Sequence, residues 1–323
     1  MRVVFATIAA LLAGCAGLDT RLPDIDAPGL SAETERQQGI AYEEIAGLTE
    51  RIGRVGSRVL VANAGLCPKT RPTIGVSTHA VDDYPGFMED TVRAAGARDT
   101  PTVRTVLEGS PADAAGIRVG DALWVDGEAV KARSKAVERA LEGGALEVRG
   151  PDGVLRSVEI APVPACDYTL KVTISSAINA YATGRSVTVT SGMMNFVASD
   201  DELALIVGHE LAHNTMGHIR KIVGNYIFSL GGTRYTRPFE SEADYVGLYY
   251  LARAGYDMNG VEDVWRRLAA VSPRSTTRAK THPTSSERFL RIAAARDEIL
   301  AKRAAGKPLI PNFKDAPNFK DAE

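Results

Sequence analysis

Two histidines four residues apart, His209 and His213, flank Glu210 in an apolar run that begins at Leu203 and continues Ala204, Leu205, Ile206 and Val207. In a helix of 3.6 residues per turn both imidazoles lie on one face and can grip a single metal ion. Neutral imidazoles suit zinc. Glu210 stands one residue along, where it can take a proton from zinc-bound water as that water attacks a carbonyl. A buried carboxylate and two buried imidazoles would be costly to hold without a cation. The five-letter pattern is short and recurs in unrelated chains, so its surroundings decide. Ser199-Asp200-Asp201-Glu202 just ahead is a capping box with acidic groups at the positive end of the helix dipole.

A third ligand is needed, and Phe239-Glu240-Ser241-Glu242-Ala243-Asp244 offers one at the head of a second apolar helix ending at Gly255. Glu240 and Asp244 are four apart and share a helix face. Glu240 would complete the zinc site, and Asp244 would accept a hydrogen bond from a ligand imidazole and fix its tautomer. Glu242 falls about 200 degrees round the helix and points elsewhere. A metzincin arrangement is excluded, because the positions three and six residues after the second zinc histidine are Met216 and Ile219. Gly217 and His218 are each out of register by one, so His218 reads as a bystander or as support for a ligand. Ahead of the zinc helix, Ile178–Ala182 and Ser186–Thr190 form a hairpin across Thr183-Gly184-Arg185; its Asn179 and Ala180 could pair with a substrate backbone, or be plain sheet. His282, in Thr281-His282-Pro283, could approach the zinc or stabilise an oxyanion with Arg288 supporting it, or be a plain loop histidine.

Composition is that of a globular chain, 45% hydrophobic and 24% charged over 323 residues. A net charge of -2 with no block of Lys or Arg excludes a nucleic-acid footprint. Met1-Arg2 followed by the apolar Val3 to Leu12 is a signal segment too short to span a bilayer, and Leu12-Ala13-Gly14-Cys15 resembles the bacterial lipobox, which would make Cys15 a lipid anchor. Ala16 after it hints at the outer membrane. Leu18 to Leu30 reads as a tether, and a long amphipathic helix is expected from about Ala32 to Ala62, with Gly53 or Gly56 as the points where it would break. Cys67 and Cys166 are an even pair in a disulfide-permitting compartment; they are either a bridge closing a loop of about a hundred residues or two buried thiols.

Between those cysteines, Ser110 to Asp121 followed by Ala122-Leu123-Trp124-Val125-Asp126-Gly127 resembles the PDZ domains of bacterial proteases. The resemblance implies that Ile74-Gly75-Val76 is a carboxylate loop receiving peptide termini, although a small β-module that binds nothing has the same texture. Residues 77–101 do not fit that template. At the far end, Pro311 to Ala316 recurs as Pro317 to Ala322, a polar tail.

Asn179-Ala180-Tyr181-Ala182, Gly192, Asp201 to Ala204, His209 to His213, Glu240 to Asp244 and Thr281-His282-Pro283 together resemble the zinc metalloendopeptidases that include HtpX and the CaaX prenyl proteases. The soluble, membrane-tethered branch with BepA-like quality-control proteases is the nearest likeness. It implies an α+β chain: an α-rich gluzincin domain (31–66 and 167–305) with a small β-hairpin or sheet beside the active-site helix. A PDZ-like domain (70–163) would be inserted in it, with a signal peptide (1–14), an anchor and tether (15–30) and a tail (306–323) at the ends. The expected cofactor is one zinc ion per chain. The expected partners are polypeptide substrates, peptide termini at the PDZ-like domain and a membrane through lipidated Cys15, in the periplasm-facing envelope. The rival reading is a PDZ-based peptide-binding or chaperone lipoprotein whose zinc site is structural or self-inhibited.

Overall fold

The computed structural model describes residues 22–221, 237–271 and 286–312, so Cys15, His282 and all of the C-terminal repeat after Asn312 lie outside the described residues. The chain opens with α1 (Ala27–Ala62), capped by Asp26, whose carboxylate accepts from the Gly29 N–H at 2.9 Å. With Asp at the cap and Pro28 in the first turn, the helix starts five residues before Ala32, inside the stretch expected to be tether. It runs unbroken through Gly53 and Gly56. Gly56 is there for closeness: a Cβ would sit 2.6 Å from Leu170 Cδ1. Only the second half of α1 is core, through Leu48, Ile52, Val55, Val59 and Leu60.

A sheet module follows. Its elements are β1 (Thr70–Thr73), β2 (Val76–His79), α2 (Glu89–Ala94), β3 (Thr102–Val106), α3 (Pro111–Ala114), β4 (Ala122–Val125), β5 (Glu128–Ala129), α4 (Lys135–Leu141), β6 (Gly144–Arg149), β7 (Leu155–Ile160) and β8 (Val163–Cys166). Strands run β2-β3-β4-β6-β7 with β5 hairpinned onto β4. The β4–β5 turn is Asp126-Gly127, both left-handed at φ 52° and 72°, as a two-residue hairpin loop requires. Ile74, Val103, Ile117, Leu123, Leu146 and Val148 form the module's own core. Residues 77–101 finish β2 and then build a small cluster of Val81, Met88, Val92 and Ala97 that packs on Tyr42 of α1. Chain entry and exit share one ribbon, since β1 pairs antiparallel with β8, and Cys67 is bridged to Cys166 at its foot, Cα atoms 5.5 Å apart. Closing a loop of that size contributes about 4.7 kcal/mol in the chain-entropy account.

The remaining described elements are β9 (Thr169–Thr173), β10 (Ala180–Ala182), β11 (Ser186–Thr190), α5 (Ser191–Phe196), α6 (Asp200–Thr215), α7 (Arg237–Arg253), α8 (Asp263–Val271) and α9 (Ser286–Ala304). β11 is central, antiparallel to β10 and parallel to β9, which leaves β10 at the edge. α6 is buried continuously from Glu202 to Asn214, so it is the helix around which α1, the sheet and α7 are laid. The architecture is mixed helix and sheet, and among the described residues no helix is long and apolar enough to cross a membrane.

Candidate metal centre

The start of α6 is fixed on two sides. The Ser199 hydroxyl accepts from the Glu202 N–H at 3.2 Å, while the Glu202 carboxylate accepts from the Ala198 N–H at 2.7 Å, one residue earlier than the usual capping box. Asp200 receives Arg51 and Arg54 of α1 at 2.9 and 2.6 Å, and Glu202 receives both ends of Arg267 from α8. α6 then meets α7 glycine against glycine. A Cβ on Gly208 would lie 2.7 Å from the Gly247 carbonyl oxygen, and one on Gly247 would lie 2.8 Å from the His209 nitrogen. These two glycines let the backbones approach far enough for side chains on the two helices to converge.

What converges is a triangle of donors. His209 Nε2 lies 3.2 Å from His213 Nε2 and 3.4 Å from Glu240 Oε2, and His213 Nε2 lies 3.5 Å from Glu240 Oε1. Bonds of about 2.0–2.1 Å to a tetrahedral zinc separate neighbouring ligand atoms by about 3.3 Å; the two imidazoles stand at about that spacing, and the Glu240 carboxylate offers each of them a different oxygen at a similar distance. All three residues are buried, and among the described residues this is the group with donors placed to hold a metal ion. Three protein ligands would leave a fourth position, the catalytic rather than the structural pattern. Glu210, also buried, follows His209 on α6.

Behind His209, its Nδ1–H donates to Asp244 Oδ1 at 2.9 Å. Arg288 of α9 grips the same carboxylate with Nε and with Nη2, the latter at 2.6 Å, while its guanidinium lies 4.0 Å from the Trp265 ring centre. Arg288 thus holds the carboxylate that holds His209. Burial alone would raise the Asp244 carboxyl, yet the Arg288 charge and the His209 hydrogen bond keep it below the usual carboxylate range. His209 is opposed by burial in the same way, and the Asp244 and Glu240 hydrogen bonds push it up to about 9 in the metal-free protein. A zinc ion bound at His209 Nε2 would have to displace that proton. Titrating zinc at pH 7 in two buffers of different ionisation enthalpy should therefore show about one proton released per ion. Apparent affinity should fall as pH falls below about 9, where the proton competes more strongly. Equal heats in both buffers would contradict this.

Other expected positions are placed as follows. Asn179 precedes β10, its N–H donating to Thr190 Oγ1 at 3.1 Å, and Ala180 is buried on that edge strand beside α6. In the Ile74-Gly75-Val76 loop, the Ile74 N–H donates to the Leu141 carbonyl at 3.3 Å and the Gly75 N–H to Thr73 Oγ1 at 3.2 Å, so both are engaged within the module. Gly75 is left-handed at φ +84° and abuts Ser110, which excludes a side chain. Two features escaped the sequence reading. One is the Gly208–Gly247 contact, signalled only by glycines inside two apolar helices. The other is that Glu242 and His218 meet: the Glu242 carboxylate lies 2.8 Å from His218 Nε2.

Residues 152–231 and 221–296 match Peptidase family M48. The chain is 25% identical over 194 residues to mitochondrial metalloendopeptidase OMA1 of Schizosaccharomyces pombe, covering 50% of this chain and 58% of that protein. It is 28% identical over 150 residues to a putative beta-barrel assembly-enhancing protease of Vibrio cholerae, covering 35% and 31%. To metalloprotease YcaL of Escherichia coli it is 28% identical over 167 residues, covering 42% and 63%. The chain thus spans less than two thirds of the length of each of these relatives. Its helical half, which carries the buried His209, His213 and Glu240, is similar to metalloproteases. Within that class, its likeness is to the M48 zinc metallopeptidases.

Proposed function

We propose that the protein is a zinc-dependent endopeptidase acting on unfolded or unassembled polypeptides of the bacterial envelope. The observation that carries this is the buried convergence of donor atoms of His209, His213 and Glu240, all within 4.8 Å of one another and followed on α6 by Glu210. Zinc bound there supplies Lewis-acid polarisation of a peptide carbonyl and lowers the pKa of water. Glu210 takes the proton released as water attacks the carbonyl carbon, and returns it to the amide nitrogen as the C–N bond breaks. Asp244, held by Arg288, fixes His209 with Nε2 toward the ion. Among the described residues β10 is an edge strand beside α6, on which an extended chain could add as a further strand with its amide over the centre.

The sheet module, on this reading, presents peptide termini to the catalytic half, and a lipidated Cys15 tethers the chain to a membrane, the outer one by preference. The names of the relatives, one of them a beta-barrel assembly-enhancing protease, favour an envelope setting. The test is a cleavage assay on purified protein lacking residues 1 to 15, using an unfolded protein such as casein, with and without a zinc chelator. Fragments that appear only with zinc present are expected. Retention of intact casein without cleavage, unaffected by chelator, would instead favour a chaperone lipoprotein with a structural or self-inhibited site.

A further inference from the structure

His213 differs from His209 in what its Nδ1 meets among the described residues, another histidine rather than a carboxylate. α6 ends at Thr215, Gly217 turns left-handed at φ +66°, and the chain resumes helically at His218. That turn folds His218 back under α6, fully buried, with its Nδ1 at 3.1 Å from His213 Nδ1 and its ring stacked on Phe239 at 4.7 Å between centroids. On its other side His218 Nε2 meets Glu242 Oε2 at 2.8 Å. The directions of these bonds follow from the chemistry. His213 Nε2 faces the other ligands, so a ligating His213 carries its hydrogen on Nδ1 and must donate it. His218 can accept at Nδ1 only as the tautomer protonated at Nε2, and the acceptor-only carboxylate of Glu242 selects that tautomer.

We propose that His218 and Glu242 are positioning residues for the metal centre, a two-residue relay that sets the tautomer and ring orientation of His213 as Asp244 does for His209. Both metal-ligating imidazoles are then anchored from α7: His209 by Asp244 directly, and His213 by Glu242 through His218. The helix that donates Glu240 thereby orients the other two ligands as well, so ligand geometry depends on how α7 sits against α6.

This inference rests on the zinc reading above, and its test separates the two. The working variant is Glu242→Ala in the full chain, because the Glu242 side chain is 34% exposed and its removal leaves no sealed void. Zinc affinity is measured by competition with a chelating dye, and the cobalt-substituted protein is compared by its visible absorption bands. Glu242→Ala should bind zinc about 10- to 100-fold more weakly and show displaced cobalt bands, with Glu242→Gln, which keeps an acceptor oxygen, losing less. His218→Ala should follow Glu242→Ala in both readouts if it folds. A pair that merely packs would lower the melting temperature of the zinc-free protein and leave zinc affinity within threefold and the cobalt bands unmoved. That result overturns the inference. A parent protein that binds no zinc would instead overturn the metal centre itself.

Discussion

Glu210→Gln should lower the turnover of peptide cleavage by about 10²- to 10⁴-fold while zinc content stays at one ion per chain. The amide has the shape of the carboxylate and fills the same buried position on α6, so packing is conserved and only the capacity to take and return a proton is lost. KM should change little, because Glu210 is assigned to proton transfer rather than to substrate binding. Elemental analysis of the purified variant, beside steady-state kinetics on a fluorogenic peptide, checks both halves of the expectation. A turnover within a few-fold of the parent would remove Glu210 from this role. Glu240→Ala is the complementary control, since taking away one of three donors should empty the site and abolish activity together.

The second large effect is expected at the backbone contact behind the site, where α7 meets α6. In Gly247→Ala the added methyl would lie 2.8 Å from the His209 nitrogen and 2.9 Å from its Cα, backbone atoms that cannot rotate aside. The helices must part. Alanine would otherwise favour a helix over glycine by about 1 kcal/mol, but overpacking of this kind costs about 1–3 kcal/mol or more, and here it acts on the contact that sets the donor triangle. The expectation is a lower melting temperature together with weaker zinc binding. Gly47→Ala supplies the contrast, being exposed on α1 with nothing within 4 Å of the added atom, and it should leave zinc binding alone while raising stability slightly. Gly247→Ala protein that binds zinc as tightly as the parent would show that the close approach is dispensable.

Local signals carried much of this molecule. Ser199 with Glu202 marks where α6 begins, the i, i+4 spacing puts His209 beside His213, and the same spacing puts Glu240 above Asp244 on α7. Each of these depends on one helix and its own periodicity. The start of α1 was misplaced because Asp26 and Pro28 suit a helix start and a tether equally well, and the polar residues after them bury nothing that would distinguish the two. The partners of Arg288 and the meeting of His218 with Glu242 were not legible for a different reason. Their partners lie 44 and 24 residues away, and only the packing of α9 and the turn at Gly217 bring them together. Glu242 does point away from Glu240 round the helix, as its spacing requires; what its spacing does not contain is the histidine waiting there.

The ribbon of β1 and β8 has an evolutionary corollary. Because the polypeptide leaves the helical half and re-enters it at two points only 5.5 Å apart, everything between Cys67 and Cys166 could be exchanged for a tight reverse turn without asking the flanking segments to move. Such an arrangement lets one scaffold acquire, shed or trade inserted modules through a single genetic insertion. A minimised version with that module excised should fold around α6, which far-UV circular dichroism and thermal melting would check.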